Sequence, residues 1–307
     1  MNPAKAKARG QGKLIIFGEH AVVYGQSAVA CSLPHGATAT VTRCDRAQYS
    51  VNHPGGTLEM SDDARRAVRV IFETFALRAE DHSIHIDLSI PVGAGLGSSA
   101  AMAVAVARAA AQLCELANDD ARGRVDEAVA ASESVFHGKA SGIDQTAAMG
   151  AGFFAFANTH GWPEITPLDV PQARWIIARV APSASTSKMV ESVAGLHQRH
   201  RSRITDLFEQ FGAIAQAGTR ALTRGNWREV GTLMNINQGL LNAIGVSTPA
   251  LETACDKARE AGAFGAKLTG AGGGGCVIAI ADDERCDEVT SALEECGEVF
   301  CAELPPR

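Results

Sequence analysis

An α+β chain folded as two lobes is the fold class that the sequence predicts, and three observations carry it. A length of 307 residues is long for one compact core, so a two-lobed enzyme with a cleft or one large domain is the natural expectation. The first third is rich in short β-leaning segments interrupted by one helix-spaced stretch, and the last quarter reads strand, amphipathic helix, strand. That closing pattern fits an antiparallel sheet covered by helices.

Taken in order, Lys13 to Phe17 is an apolar strand that opens onto Gly18-Glu19-His20, and Ser27 to Thr42 continues with β-leaning residues broken by Pro34 and Gly36. Asp62 to Ala76 carries Ala67, Val68, Ile71, Phe72 and Phe75 at helical spacing, and Ser83 to Ile90 alternates as a half-buried strand. A glycine-rich interruption from Pro91 to Ser99 then leads into an Ala-rich helix from Ala100 to about Ala117. A second helix runs from Asp120 to Phe136, ends at a turn on Gly138, and passes through Lys139-Ala140-Ser141-Gly142 to Asp144. After Gly152 the chain is strand-like. Trp162-Pro163 and Pro167 to Pro171 mark loops and the lobe junction, which divides the protein into domains 1–165 and 166–307. Beyond it come a strand at Trp175 to Val180, helices at Val190 to Arg224, Trp227 to Ile244 and Pro249 to Ala261, a strand at Cys276 to Ala281, a helix at Glu284 to Glu295 and a strand at Val299 to Leu304.

A net charge of −6 and a pI near 5.9 argue against nucleic acid or an anionic membrane as the main partner. The eight cysteines show no Cys-x-x-Cys and no matched Cys/His spacing, which fits a reduced cytoplasmic setting. The basic stretch Met1 to Arg9 lacks an apolar core and does not read as a secretory signal. The purest apolar run, Ala100 to Ala107, is far too short to span a bilayer.

The chemistry gathers in a few places. Gly93, Ala94, Gly95, Leu96, Gly97, Ser98, Ser99 and Ala100 form a glycine loop at the mouth of a helix, where bare backbone N–H groups and the positive end of the helix dipole favour a phosphate. Ser98 or Ser99 either holds a phosphate-bound Mg²⁺ or caps the helix. The spacing is neither G-x-G-x-x-G nor that of a P-loop. A second glycine run, Gly270, Ala271, Gly272, Gly273, Gly274 and Gly275, lies inside a β-α-β unit, where a loop whose backbone closes on a ligand is favoured over a flexible connector. Glu133 and Asp144 suit Mg·ATP chemistry, one holding metal and one accepting a proton, against the plain alternative of surface charge. Lys13 either steers an anion or faces solvent, and His20 after Glu19 is either a packed histidine or a ligand.

In combination, Gly12 to Gly25, Pro91 to Ala101 and Lys267 to Cys276 resemble the three ordered motifs of the GHMP kinases. Two further stretches, Glu133 to Gln145 and Met234 to Ser247, are similar to the members of that family that act on mevalonate. The resemblance spans nearly the whole chain. It implies a ribosomal S5 domain 2-like N-terminal lobe and a ferredoxin-like C-terminal lobe. It also implies transfer of phosphate from Mg²⁺-bound ATP to the 5-hydroxyl of mevalonate. The alternative is another small acceptor such as phosphomevalonate, a sugar or homoserine. By the same resemblance Asp144 matches the catalytic base, Lys13 the lysine that helps the hydroxyl ionise, and Glu133 with Ser98 or Ser99 the Mg²⁺ ligands. The loop from Gly93 to Ala100 matches the ATP-phosphate cradle. Glu19 and His20 match the substrate-side motif, joined by Lys13 and Asp144. Thr186, Ser187 and Lys188 lie where the family has a Thr-Lys or Thr-Arg pair, with the hydroxyl that faces substrate left open. The run from Gly270 to Gly274 matches the third motif. Expected partners are ATP and mevalonate, with no nucleic acid and no membrane, and a second copy of the chain is a further candidate.

Overall fold

A computed structural model describes residues 4–136, 142–159 and 162–306. The chain forms two compact units: Met1–Gly12, Pro34–Val92 and Gly97–Gly150 make the first, and Lys13–Leu33, Gly93–Leu96 and Ala151–Arg307 the second. Two long strands, β1 (Lys5–Phe17) and β2 (Ala28–Arg43), run covalently from one unit into the other.

In the first unit the chain continues through β3 (Tyr49–His53), β4 (Gly56–Glu59), α1 (Asp62–Thr74), β5 (His82–Leu88), α2 (Ser98–Leu113), α3 (Asn118–Phe136) and α4 (Ile143–Ala148). The strands lie in the order β4-β3-β5-β2, with β3 and β5 parallel and the other pairs antiparallel. Strand β1 begins eight residues earlier than the apolar run predicts. In Lys5-Ala6-Lys7-Ala8-Arg9-Gly10 the basic residues face outward and the small ones inward, so a basic terminus is also a period-two strand. Ala6 and Ala8 join a core made with Val41, Ile84, Ile86, Phe72 and the inner faces of α1, α2 and α3. Helix α1 starts where Ser61 accepts a hydrogen bond from the Ala64 N–H. Helix α2 buries twelve of its sixteen residues, nearly all alanine and valine. Small side chains all round let neighbours approach from every side, which suits a helix enclosed within its unit.

Pro34 and Gly36 do not break β2. Ala28 to Cys31 pair with β6 (Phe153–Thr159), and Ala37 to Arg43 pair with β5. Pro34, which has no N–H to offer, falls between the two paired stretches. Gly36 lies against β1, where a Cβ would stand 2.2 Å from the Gly10 carbonyl oxygen.

In the second unit β6 is followed by β7 (Trp162–Leu168), β8 (Ala173–Ala181), α5 (Thr186–Arg199), α6 (Arg201–Thr223), α7 (Trp227–Ala243), α8 (Pro249–Glu260), β9 (Gly265–Thr269), β10 (Gly275–Ile280), α9 (Cys286–Glu294) and β11 (Glu298–Leu304). Trp162-Pro163 and the start of Pro167 to Pro171, expected as loops, lie within one strand, Trp162–Leu168. Among the described residues it pairs only with β6, at the end of the strand order, and such an edge tolerates Pro163 and Pro167 because their missing N–H groups cost no second ladder. The long helix expected from Val190 to Arg224 is two helices meeting at His200, and the first begins four residues earlier, at Thr186, under a Ser185 cap. Strands β11-β8-β10-β9 form an antiparallel sheet. With helices between β8 and β9 and between β10 and β11, this is the β-α-β-β-α-β ferredoxin-like arrangement. Its core joins Ile176, Ala178, Leu268 and Val277 to Phe208, Phe211, Leu241 and Leu251.

All eight cysteines are free. Among the described residues no helix is long and apolar enough to cross a membrane.

Candidate active site

In the second unit the three motifs meet around the end of β1. Thr269, at the end of β9, accepts a hydrogen bond from the Ile15 N–H at 3.0 Å and donates to the Ile15 carbonyl at 3.1 Å. The Lys13 N–H donates to the Leu96 carbonyl at 2.9 Å, which ties the second motif to the same strand. Gly95 packs on the third motif so closely that a Cβ would stand 3.2 Å from the Thr269 carbonyl oxygen, and a Cβ on Gly275 would stand 3.1 Å from that of Ala94.

Just beyond β1, His20 has φ 42° and ψ −44°, with the Ala21 N–H bonded across it to the Glu19 carbonyl. This is a γ-turn with positive φ, a conformation costing a side-chain-bearing residue on the order of 1–3 kcal/mol and kept only where surroundings over-determine it. The anchors are visible. The Nε2 of His20 lies 2.8 Å from the Ala271 carbonyl oxygen, which can only accept, so Nε2 carries the proton. Burial lowers the His20 pKa, against opposing effects of the Ala271 hydrogen bond and the Glu19 carboxylate. The two oxygens of Glu19 are both engaged: Oε1 takes the Lys267 ammonium and Oε2 accepts from Asn237 Nδ2 at 3.2 Å. Lys267 is fully buried and also donates to the Leu268 carbonyl at 2.6 Å. Burial drives its pKa down, and Glu19 pushes back. Gln238, beside Asn237 on α7, accepts from the Leu268 N–H at 2.9 Å and donates to Ser247 and Glu252.

The glycines of the third motif are not a flexible connector. A Cβ would stand 2.3 Å from the Val246 oxygen at Gly272 and 2.0 Å from the Pro182 oxygen at Gly274, with φ of 78° and 118°. What this backbone lies close to is its own unit. By contrast nothing stands within 4 Å of a Cβ built on Gly93, which is exposed with φ 68°. Thr186 and Ser187 are exposed in the first turn of α5, and the Ser187 hydroxyl lies 3.3 Å from that of Ser185. Lys13 is buried, which disposes of the solvent-facing alternative, and so is Glu19.

The first unit carries the remaining candidates. Gly97, at φ 75°, is the N-cap of α2 without a side-chain cap bond, so neither serine caps the helix. Ser98 and Ser99 are the first two helical residues, Ser98 buried and Ser99 exposed. Glu133 is a buried carboxylate on α3. Asp144 is half-buried in the first turn of α4, a short helix held to α3 by Gln145, whose amide donates to the Asp126 carbonyl at 3.2 Å. His137, Gly138, Lys139, Ala140 and Ser141 of the mevalonate-like stretch lie outside the described residues. Hydroxyl and carboxylate oxygens form a donor set that fits a hard cation such as Mg²⁺, which needs few protein ligands when phosphates supply the rest. Among the described residues no cluster of three or more His, Cys, Asp or Glu forms a metal cage.

Sequence reasoning gave no role to Lys267, Thr269, Asn237 or Gln238. The available signal was a lysine within the otherwise apolar Gly265–Thr269 strand and two amides on the inner face of a helix.

The GHMP kinases N terminal domain family matches residues 63–152, and the GHMP kinases C terminal family matches residues 219–299. The chain belongs to the GHMP kinase family. This GHMP kinase is 32% identical to the mevalonate kinase of Thermococcus gammatolerans over 94% of its own length and 93% of that protein's. It is also 32% identical to the mevalonate kinase of Methanothermobacter thermautotrophicus over 98% of each chain. The crystal structure of L. major mevalonate kinase in complex with R-mevalonate superposes with a TM-score of 0.86 at 24% identity, covering 100% of both chains, and establishes the shared fold. The expected α+β GHMP kinase architecture is thus the observed one.

Proposed function

We infer that the protein is an ATP-dependent kinase that phosphorylates the 5-hydroxyl of mevalonate, giving 5-phosphomevalonate and ADP. The observation that carries the acceptor is the relationship to mevalonate kinases at 32% identity over 98% of both chains. Fold alone does not choose among acceptors.

Phosphoryl transfer asks a protein mainly for positioning and charge stabilisation around the transferring group. In this reading the loop from Gly93 to Ala100 receives the ATP phosphates. Its support is the left-handed φ of Gly93, Gly95 and Gly97 together with the start of a sixteen-residue helix. Ser98 or Ser99 and Glu133 would hold Mg²⁺; the exposure of Ser99 favours it over Ser98. The ion would neutralise charge on the phosphate oxygens. Asp144 takes the proton of the attacking hydroxyl, and the Lys13 ammonium favours its ionised form. His20 orients the acceptor together with Glu19, whose buried carboxylate is held by Lys267 and Asn237. Thr186 and Ser187 add exposed hydroxyls for the acceptor. The division into residues 1–165 and 166–307 as N-terminal and C-terminal domains is supported by the two family matches, each of which falls inside one of them, whereas the compact units put Lys13–Leu33, Gly93–Leu96 and the chain from Ala151 onward together. The eight free thiols support the cytoplasm as the working compartment.

Coupled ADP release in the presence of Mg·ATP, compared across mevalonate, phosphomevalonate, galactose and homoserine, tests the reading. Turnover with mevalonate well above the other three is expected; absence of turnover with mevalonate overturns it.

A further inference from the structure

A fully buried lysine is an unusual feature of a strand, and the proposed chemistry leaves Lys267 unused. Its ammonium has two partners, the Glu19 carboxylate and the Leu268 carbonyl. Apolar pairs of similar volume are often as stabilising as a buried ion pair or more so, which makes stability a weak account of this one. The neighbouring geometry supplies another. Glu19 precedes His20, the centre of the strained γ-turn. The His20 ring then reaches Ala271, four residues beyond Lys267 on the same segment. Lys267 and Ala271 thus grip the turn from both sides, one through the Glu19 side chain and one through the His20 ring. Asn237, completely buried on α7, closes the arrangement on the second oxygen of Glu19.

We propose that Lys267, assisted by Asn237, is a positioning residue: by fixing the Glu19 carboxylate it holds the His20 turn, and so the imidazole, in the orientation that receives the acceptor. The proposal rests on the reading of His20 as an acceptor-side residue. Lys267 touches neither reactant; its effect is transmitted through Glu19 and the backbone between residues 19 and 21. Loss of this grip lets the turn relax toward ordinary φ, which misaligns the acceptor and leaves the nucleotide loop alone.

The test separates positioning from mere packing. Lys267→Met strands a buried carboxylate, so its folding is compromised whichever role is correct. The double variant Glu19→Leu with Lys267→Leu removes both charges and is expected to melt well above Lys267→Met, with a deficit from wild type set by the partners lost to Asn237 and the Leu268 carbonyl. Its KM for mevalonate should nevertheless rise at least tenfold, while KM for ATP stays within twofold. Asn237→Ala, which keeps the ion pair, should raise the mevalonate KM about threefold to fivefold. Nitrogen-15 NMR of the histidine side chains in the ligand-free enzyme should find the Nε2–H tautomer of His20 in the wild type and a mixed population in the double variant. A stable double variant with wild-type KM values and an unchanged His20 tautomer overturns the proposal. If the wild-type enzyme does not turn over mevalonate, the acceptor reading fails, and the His20 tautomer alone then decides for or against positioning by Lys267.

Discussion

Thr269 clasps the backbone of Ile15 from both sides, accepting from its N–H at 3.0 Å and donating to its carbonyl at 3.1 Å. The two residues are 254 positions apart, and this side chain does the work of a missing ladder partner for the last turn of β1. Thr269→Val keeps the shape and removes both bonds, leaving two backbone groups without partners. It should cost about 2–4 kcal/mol, one to two per stranded group, read as a shift in urea midpoint, whereas Thr269→Ser should recover most of the loss.

Glycines inside one unit should answer alanine in opposite directions. Gly274 sits at φ 118° with the Pro182 oxygen 2.0 Å from where a Cβ would be. Gly274→Ala should therefore destabilise by roughly 2 kcal/mol or more. Gly239 lies on the exposed face of α7 with nothing within 4 Å. Gly239→Ala should stabilise by about 0.5–1 kcal/mol, because alanine loses less backbone entropy in a helix. Thermal melts of the two variants check both signs, and a destabilised Gly239→Ala would mean that this face of α7 is covered in the working enzyme.

The buried imidazole of His20 sets a pH dependence of stability. Its folded-state pKa lies below the ordinary 6.5, so the unfolded chain binds more protons in the interval between the two values. Stability from this group is fully present above pH 6.5 and falls as the pH drops toward the folded-state pKa. His35, whose pKa is lowered by burial and then by Arg9, acts in the same direction. Melting temperatures recorded between pH 7.5 and 5 should decline, and His20→Asn should flatten the decline. An unchanged slope in that variant would assign the effect to other groups.

Asp144→Ala should lower kcat by about a hundredfold or more, the usual worth of a positioned base, while nucleotide binding measured by calorimetry stays within a few-fold of wild type. Wild-type turnover would remove Asp144 from the chemistry.

Lys13→Met should act chiefly on kcat. A raised KM with kcat unchanged would move this lysine from the chemical step to binding.

Much of this protein was legible without coordinates wherever the information is local. The helical spacing from Asp62, the alternation from Ser83 and the closing strand-helix-strand order are properties of ten to twenty consecutive residues, and α1, β5, β10, α9 and β11 form there. The three ordered motifs could likewise be read, because each is a run of consecutive residues. Tertiary structure decided the rest. Trp162-Pro163 and Pro167 look like loop by their prolines and join a strand because β6 offers an edge. Lys5 to Gly10 looks like a charged terminus and becomes a strand because a core waits under Ala6 and Ala8. The ion pair of Lys267 with Glu19 spans 248 positions, and no pattern in either segment announces the other. Periodicity records which face of a segment avoids water; the choice of partner for a buried charge is made only when distant strands are brought side by side.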